Sequence, residues 1–190
     1  KLGFSSIMYD CSTDSYDVNV KKVSDMVKIA KLFGATVEAE LGHVGANDAD
    51  AAESGGSHDN SIYTEPEQAR DFVEKTNVDA LAVAIGTAHG AYKEKPKLDI
   101  ERLKEIAKIV SVPLVLHGGS GLSDEDFRNC VENGISKVNI FTDINCAQVK
   151  SVVDNYKEGL GMTDVMCQSS EAVKLATMKK MTVFGSVGKA

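Results

Sequence analysis

Short apolar runs alternate with amphipathic stretches along this 190-residue chain, the pattern of βα units that feed a parallel sheet. Strands are expected at residues 4–9, 36–41, 80–85, 114–117 and 137–141. Val23, Met26, Val27 and Ala30 recur at helical spacing, and Gly34 follows as a stop. Thr64 and Glu67 read as a Thr-x-x-Glu capping box with Pro66 in the first turn, opening a helix whose Ala69, Phe72 and Val73 point inward. Asp99 precedes an apolar stripe of Ile100, Leu103, Ile106 and Ala107. Ser123 precedes an acidic first turn that leads to Phe127, Cys130 and Val131, with Gly134 closing that helix. After the last strand, Asp143 is the expected cap of a helix that presents Val149, Val152, Val153 and Tyr156 to the core, and a final helix is expected over residues 170–181.

One connection breaks this rhythm. Residues 42–62 are rich in Gly, Ala, Ser, Asn and Asp, include His43 and His58, and lack apolar periodicity; a βα loop of that length is commonly a lid or disordered. No Pro- or Ser-rich linker divides the chain, so one domain over residues 1–190 is expected. Five strands are too few to close an eight-stranded (β/α) barrel, which takes about 250 residues. Either the sheet is open, or about three βα units belong upstream of Lys1.

Composition narrows the function. At 43% hydrophobic and 26% charged the chain carries enough apolar matter for one sizeable core. No apolar run approaches the roughly 20 residues of a bilayer crossing, so no membrane partner is expected. Lys plus Arg at 21 against Asp plus Glu at 28 gives a net charge of -7. That sign opposes a broad nucleic-acid-binding face but leaves room for a pocket holding a single phosphate. The cysteines at 11, 130, 146 and 167 form no C-x-x-C pair, and are expected to be reduced, buried thiols of a cytoplasmic protein.

The polar residues are informative for where they fall. Thr87-Ala88-His89-Gly90, His117-Gly118-Gly119-Ser120-Gly121 and Asn139 to Asp143 follow three consecutive strands, and so lie at the carboxyl edge where α/β folds place ligands. His89 and His117 come from neighbouring strand ends and could converge on one Zn2+, whose catalytic sites have three protein ligands and an open position. His43 and His58, in the long loop, are poor ligands because a catalytic ligand must be held rigidly. The glycines after His117, the Ser120 hydroxyl and the segment from Asn139 to Thr142 resemble a phosphate cup at a helix N-terminus. Glu38 and Glu40 alternate along one strand and share a face. That face is either the interior beside the metal, or one of the two is a buried carboxylate paired with a lysine.

Taken together, Gly3-Phe4-Ser5-Ser6-Ile7-Met8-Tyr9-Asp10, Val37-Glu38-Ala39-Glu40-Leu41-Gly42, Ala84-Ile85-Gly86-Thr87-Ala88-His89-Gly90, Leu116-His117-Gly118-Gly119-Ser120-Gly121 and Lys137-Val138-Asn139-Ile140 resemble the class II, zinc-dependent ketose-bisphosphate aldolases in order and spacing. The likeness runs to the terminal Phe184-Gly185-Ser186. It implies an α/β (β/α)8 TIM barrel, of which this chain carries about the last five βα units. The implied reaction is reversible cleavage of fructose or tagatose 1,6-bisphosphate to dihydroxyacetone phosphate and glyceraldehyde 3-phosphate through a zinc-stabilised enediolate. His89 and His117 are implied zinc ligands, with Asp10 and Glu40 as acidic neighbours that hold the metal in an alternative, buried position. Gly90, Lys93, Gly118, Ser120, Asn139 and Thr142 would bind the dihydroxyacetone phosphate moiety. Asp48, in the closing loop, would protonate the enediolate carbon. The implied cofactors are Zn2+ and a monovalent cation, and the implied partners are a phosphorylated ketose and further copies of the chain in a homodimer or larger homo-oligomer.

The chain departs from the family pattern in two places. An upstream Leu-Asp-His segment, which would supply a proton-transfer aspartate and a third zinc-binding histidine, is absent from residues 1–190; the expectation is that preceding units or a second chain supply it. The loop acid is usually a Glu, one methylene longer than Asp48. Two rival readings stand beside the aldolase. One is a non-catalytic aldolase-like subunit, whose mark would be eroded histidines and an eroded phosphate loop, both intact here. The other is a metal-dependent lyase for a different phosphorylated sugar.

Overall fold

A computed structural model describes residues 2–42, 63–87 and 96–189. The elements run β1 (Ser6–Met8), α1 (Tyr16–Lys31), β2 (Thr36–Leu41), α2 (Pro66–Thr76), β3 (Ala80–Val83), α3 (Ile100–Ile109), β4 (Leu114–Leu116), α4 (Asp124–Glu132), β5 (Ile135–Val138), α5 (Thr142–Asn155) and α6 (Met162–Val183). All strand pairs are parallel, in the sheet order β1-β2-β3-β4-β5. Each strand lies beside the next in sequence with no reversal, the singly wound order of a barrel wall rather than that of a doubly wound sheet.

The two faces of the sheet differ in chemistry. Val37, Ala39 and Leu41 of β2, Leu81, Val83 and Ile85 of and after β3, and Leu114 and Leu116 of β4 join Phe72, Leu103, Ile106 and Phe127 from the helices in one apolar core. Phe72 and Phe127 are fully buried there, each worth roughly 2–3 kcal/mol of apolar burial. Because side chains alternate along a strand, the other face carries Glu38, Glu40, Ala82, Ala84, Val115 and His117. All six are buried.

The helix starts explain themselves in part. Asp99 accepts from the Arg102 backbone N–H at 2.9 Å, and Ser123 and Asp126 form a reciprocal capping box; such caps stabilise a helix by about 1 kcal/mol. Thr64 does not cap α2, whose N-cap is Glu65 with no side-chain cap bond. Its hydroxyl instead donates to the Leu41 carbonyl and accepts from the Ala84 N–H at 2.8 Å. Thr64 thus links the carboxyl ends of β2 and β3, a task that outweighs a cap because those strand-end groups are buried.

Five further expectations are corrected. Strand β5 spans Ile135–Val138 and stops before residue 141, since Phe141 already forms the N-cap of α5. Asp143 therefore lies inside the first turn of α5 rather than at its cap. Val149, Val153 and Tyr156 are exposed and α5 has no buried residue, because the described sheet ends at β5 and offers this helix no further strand to cover. The final helix starts at Met162, where the Asp164 carboxylate accepts from the Gly161 N–H at 2.7 Å. Its far end returns to the core: Phe184 meets Phe127 edge-on at 5.0 Å, and Lys180 pairs with Asp143 at 2.8 Å. Cys11 and Cys130 are buried thiols as expected, but Cys146 and Cys167, on α5 and α6, are exposed.

Candidate active site

His117 follows the last residue of β4 and is 3% exposed. Its Nδ1 lies 2.7 Å from Glu40 Oε2 and its Nε2 lies 2.9 Å from Glu38 Oε1. Both carboxylates stand on β2, so the imidazole reaches over β3 to meet them. It can do so because β3 presents only alanines on that face: Ala82 is the register partner of Glu40, and Ala84 continues the same row. The second oxygen of Glu38 accepts from Lys137 Nζ at 2.7 Å. The second oxygen of Glu40 accepts from the Ser12 hydroxyl at 3.4 Å, while the Glu40 carbonyl accepts from Asn19 Nδ2 at 3.1 Å.

The electrostatics follow from these contacts. Burial alone would lower the pKa of His117, but hydrogen bonds and charge from Glu38 and Glu40 outweigh it and push it up to about 9. Burial would raise Glu38, yet the hydrogen bonds from His117 and Lys137 hold it below the usual carboxylate range. The raised pKa favours the imidazolium form of His117 at neutral pH, and the lowered one favours the ionised form of Glu38. Glu38 and Glu40 share one buried face, and Glu38 is the buried carboxylate paired with a lysine.

One peptide beyond His117 begins a cavity of about 550 Å3 lined by Gly118, Gly119, Ser120, Val138, Asn139, Ile140, Phe141 and Thr142. Gly118 and Gly121 take positive φ values of 65° and 91°, the left-handed conformation that glycine adopts without strain. The turn they make sets Ser120 Oγ 3.4 Å from the Asp143 N–H, which donates to it at the start of α5. Gly118, Ser120, Asn139 and Thr142 therefore stand around one space at a helix N-terminus, an arrangement suited to an anion.

The other expected residues divide in two. Asp10 is exposed, and its carboxylate accepts from the Ser12 N–H at 2.8 Å, while the Ser12 hydroxyl donates to Glu40. Asp48, His89, Gly90 and Lys93, with His43 and His58, lie outside the described residues. Among the described residues no group of three or more His, Cys, Asp or Glu side chains is arranged to hold a metal ion. The donors that are described suit a divalent cation nonetheless: an imidazole nitrogen and a carboxylate oxygen, buried side by side, match the N and O ligands of zinc. Lys137 and Asn19 were not singled out from sequence. The one available signal for Lys137 was a charged residue in an apolar strand, and Asn19, 2% exposed, gave none beyond polarity on an inward helical position.

Comparison with known proteins bears on this site. The family profile for fructose-bisphosphate aldolase class-II matches residues 1–189. An uncharacterized protein of Escherichia coli K12, YdjI, is 40% identical over 188 residues, covering 99% of this chain and 66% of its own length. The crystal structure of the YdjI aldolase from the same organism superposes with a TM-score of 0.81 at 36% identity, covering 99% of this chain and 62% of that one. Fructose-bisphosphate aldolase from Campylobacter jejuni shares the fold, with a TM-score of 0.77 at 24% identity over 98% of this chain and 62% of that one. The chain thus spans about two thirds of the length of the relatives it matches, and its parallel wall of βα units is part of a (β/α)8 barrel. It belongs to the class-II fructose-bisphosphate aldolase family.

Proposed function

We propose that the protein is a metal-dependent ketose-bisphosphate aldolase, reversibly cleaving fructose or tagatose 1,6-bisphosphate to dihydroxyacetone phosphate and glyceraldehyde 3-phosphate. One observation carries the reading: the buried Glu40–His117 pair stands one peptide away from an anion-suited cavity. That adjacency is what a substrate with a phosphate near its carbonyl needs. His117 and His89 would hold Zn2+, with Glu40, and the exposed Asp10 as a further acidic neighbour, for its alternative position. When bound, Zn2+ would supply Lewis-acid chemistry for the carbonyl group of the substrate.

The remaining work falls to this chain's own groups. Gly118, Ser120, Asn139 and Thr142, with Gly90 and Lys93, seat the phosphate and so fix the distance of the reacting carbons from the metal site. Asp48 returns a proton to the nascent carbanionic carbon of the three-carbon product. Residues 1–190 belong to a single barrel domain, of which they supply about the last five βα units. Among the described residues no helix is long and apolar enough to cross a membrane; we place the enzyme in the cytoplasm, as a homo-oligomer that also takes up a monovalent cation.

The test is zinc content of the full-length protein together with aldol cleavage of a panel of ketose phosphates. Cleavage of a ketose 1,6-bisphosphate that is lost with a chelator and restored by Zn2+ is expected. Full activity after metal removal would overturn the zinc assignment, and inactivity of the zinc-loaded protein on every ketose tested would favour the non-catalytic subunit.

A further inference from the structure

The two carboxylates that flank His117 are not equivalent. Glu38 Oε2 is tied to Lys137 Nζ at 2.7 Å, and Glu38 Oε1 faces His117 Nε2 at 2.9 Å. Glu40 faces the other nitrogen, Nδ1, at 2.7 Å, and its second oxygen accepts from the Ser12 hydroxyl. A divalent cation drawn to the Glu38 side would sit close to the ammonium of Lys137 and be repelled by it. On the Glu40 side, the oxygen that faces Nδ1 belongs to a carboxylate whose other oxygen accepts from the Ser12 hydroxyl, while Asn19 Nδ2 donates to the main-chain carbonyl of Glu40. Glu38 is also 6% exposed, so a change of rotamer would leave its charge buried and without its two partners.

From this asymmetry we infer that Glu38 and Lys137 form a positioning pair: Lys137 anchors Glu38, Glu38 accepts the Nε2–H of His117, and the imidazole is thereby turned so that Nδ1 is the nitrogen offered to the metal. The inference deepens the proposed function and rests on its reading of His117 as a metal ligand. Neither Glu38 nor Lys137 touches substrate or metal in this account. Each acts through His117, as carboxylates behind metal-bound histidines do when they fix the ring's orientation and raise its basicity. The pair joins β2 to β5 across two intervening strands, on the face of the sheet that carries His117.

The test uses full-length protein in which histidine is labelled with 15N. In the zinc-loaded wild type, long-range proton–nitrogen spectra should show His117 protonated at Nε2 and metal-shifted at Nδ1. Zinc affinity, measured by competition with a chromophoric chelator, should fall 10- to 100-fold in Glu38→Ala and by a smaller factor in Lys137→Met, and should return to near the wild-type value in Lys137→Arg. A protonated Nδ1 with a metal-shifted Nε2 would overturn the inference, as would unchanged affinity in both Glu38→Ala and Lys137→Met. Failure of the underlying reading looks different: neither nitrogen of His117 would then respond to zinc. Should Glu38→Ala fold poorly, Lys137→Met carries the test alone, because it leaves Glu38 in place and removes a half-exposed side chain.

Discussion

Glu40 and His117 are 77 residues apart in sequence and meet at 2.7 Å above strand β3, which lies between their own strands. Alanine at 82 and 84 makes the meeting possible, because any larger side chain would rise into the gap. Ala82→Leu is therefore expected to separate the pair, lowering zinc affinity at least tenfold and costing about 1–3 kcal/mol of stability through overpacking. A chelator competition assay and a thermal melt measure the two effects. Unimpaired zinc binding in a folded Ala82→Leu protein would show that the pair does not depend on the width of that gap.

Removal of the ring itself has a larger consequence than loss of a ligand. His117→Ala should abolish zinc binding and cleavage. It should also destabilise the metal-stripped protein by roughly 3–5 kcal/mol, because Glu38 and Glu40 are left as buried charges that have lost the cation between them. Denaturant unfolding of the stripped protein measures the second effect. Equal stability of variant and wild type would mean that the imidazolium contributes nothing to holding the two strands.

The pH dependence has a definite sign. Folding raises His117 from its ordinary 6.5 to about 9, so the native state binds a proton that the unfolded chain gives up sooner. The stabilisation is fully present below about pH 6.5 and is lost as pH rises through 9, on the order of 3 kcal/mol in all. Urea midpoints of chelator-treated protein should accordingly fall across that window, and His117→Ala should flatten the fall. Zinc affinity should climb over the same range, because the metal displaces the proton from the ring.

Gly118 is in the left-handed region at φ 65° and lines the cavity next to His117. Gly118→Ala should cost about 1 kcal/mol from backbone strain. It should also weaken binding of inorganic phosphate or of dihydroxyacetone phosphate severalfold, with zinc content unchanged. Isothermal titration and metal analysis on one preparation distinguish these effects; unaltered phosphate affinity would remove this turn from the anion site.

The four thiols should divide by burial. Cys130 is pushed up to about 12, first by burial and then by the charge of Asp126. A thiol-specific reagent at pH 8 should therefore leave it unmodified in the folded protein and label it only after unfolding. Mass mapping of the labelled positions checks this, and rapid native labelling at Cys130 would contradict the packing of α4 against the sheet.

The order and type of the elements could be read from periodicity, because an amphipathic stripe and a short apolar run each carry a local signature. So could the placement of His117 at a strand end and the shared face of Glu38 and Glu40, which follow from the two-residue period of a strand. The inward stripe assigned to α5 failed for a reason outside its own residues, since periodicity shows that a helix has an apolar side but not what covers it.

What only the tertiary structure decided is which groups meet. By simple alternation from Ile135, which lies in the core, Lys137 would face the same helix-covered side. The pairing of β4 with β5 slips between Leu114 and Val115, so that Leu114 stands opposite Ile135 but Val115 stands opposite Lys137. That irregularity turns Lys137 to the face of Val115 and brings it to Glu38, 99 residues away in sequence. A slip in register is settled by packing across the whole sheet, and no local window of sequence contains it.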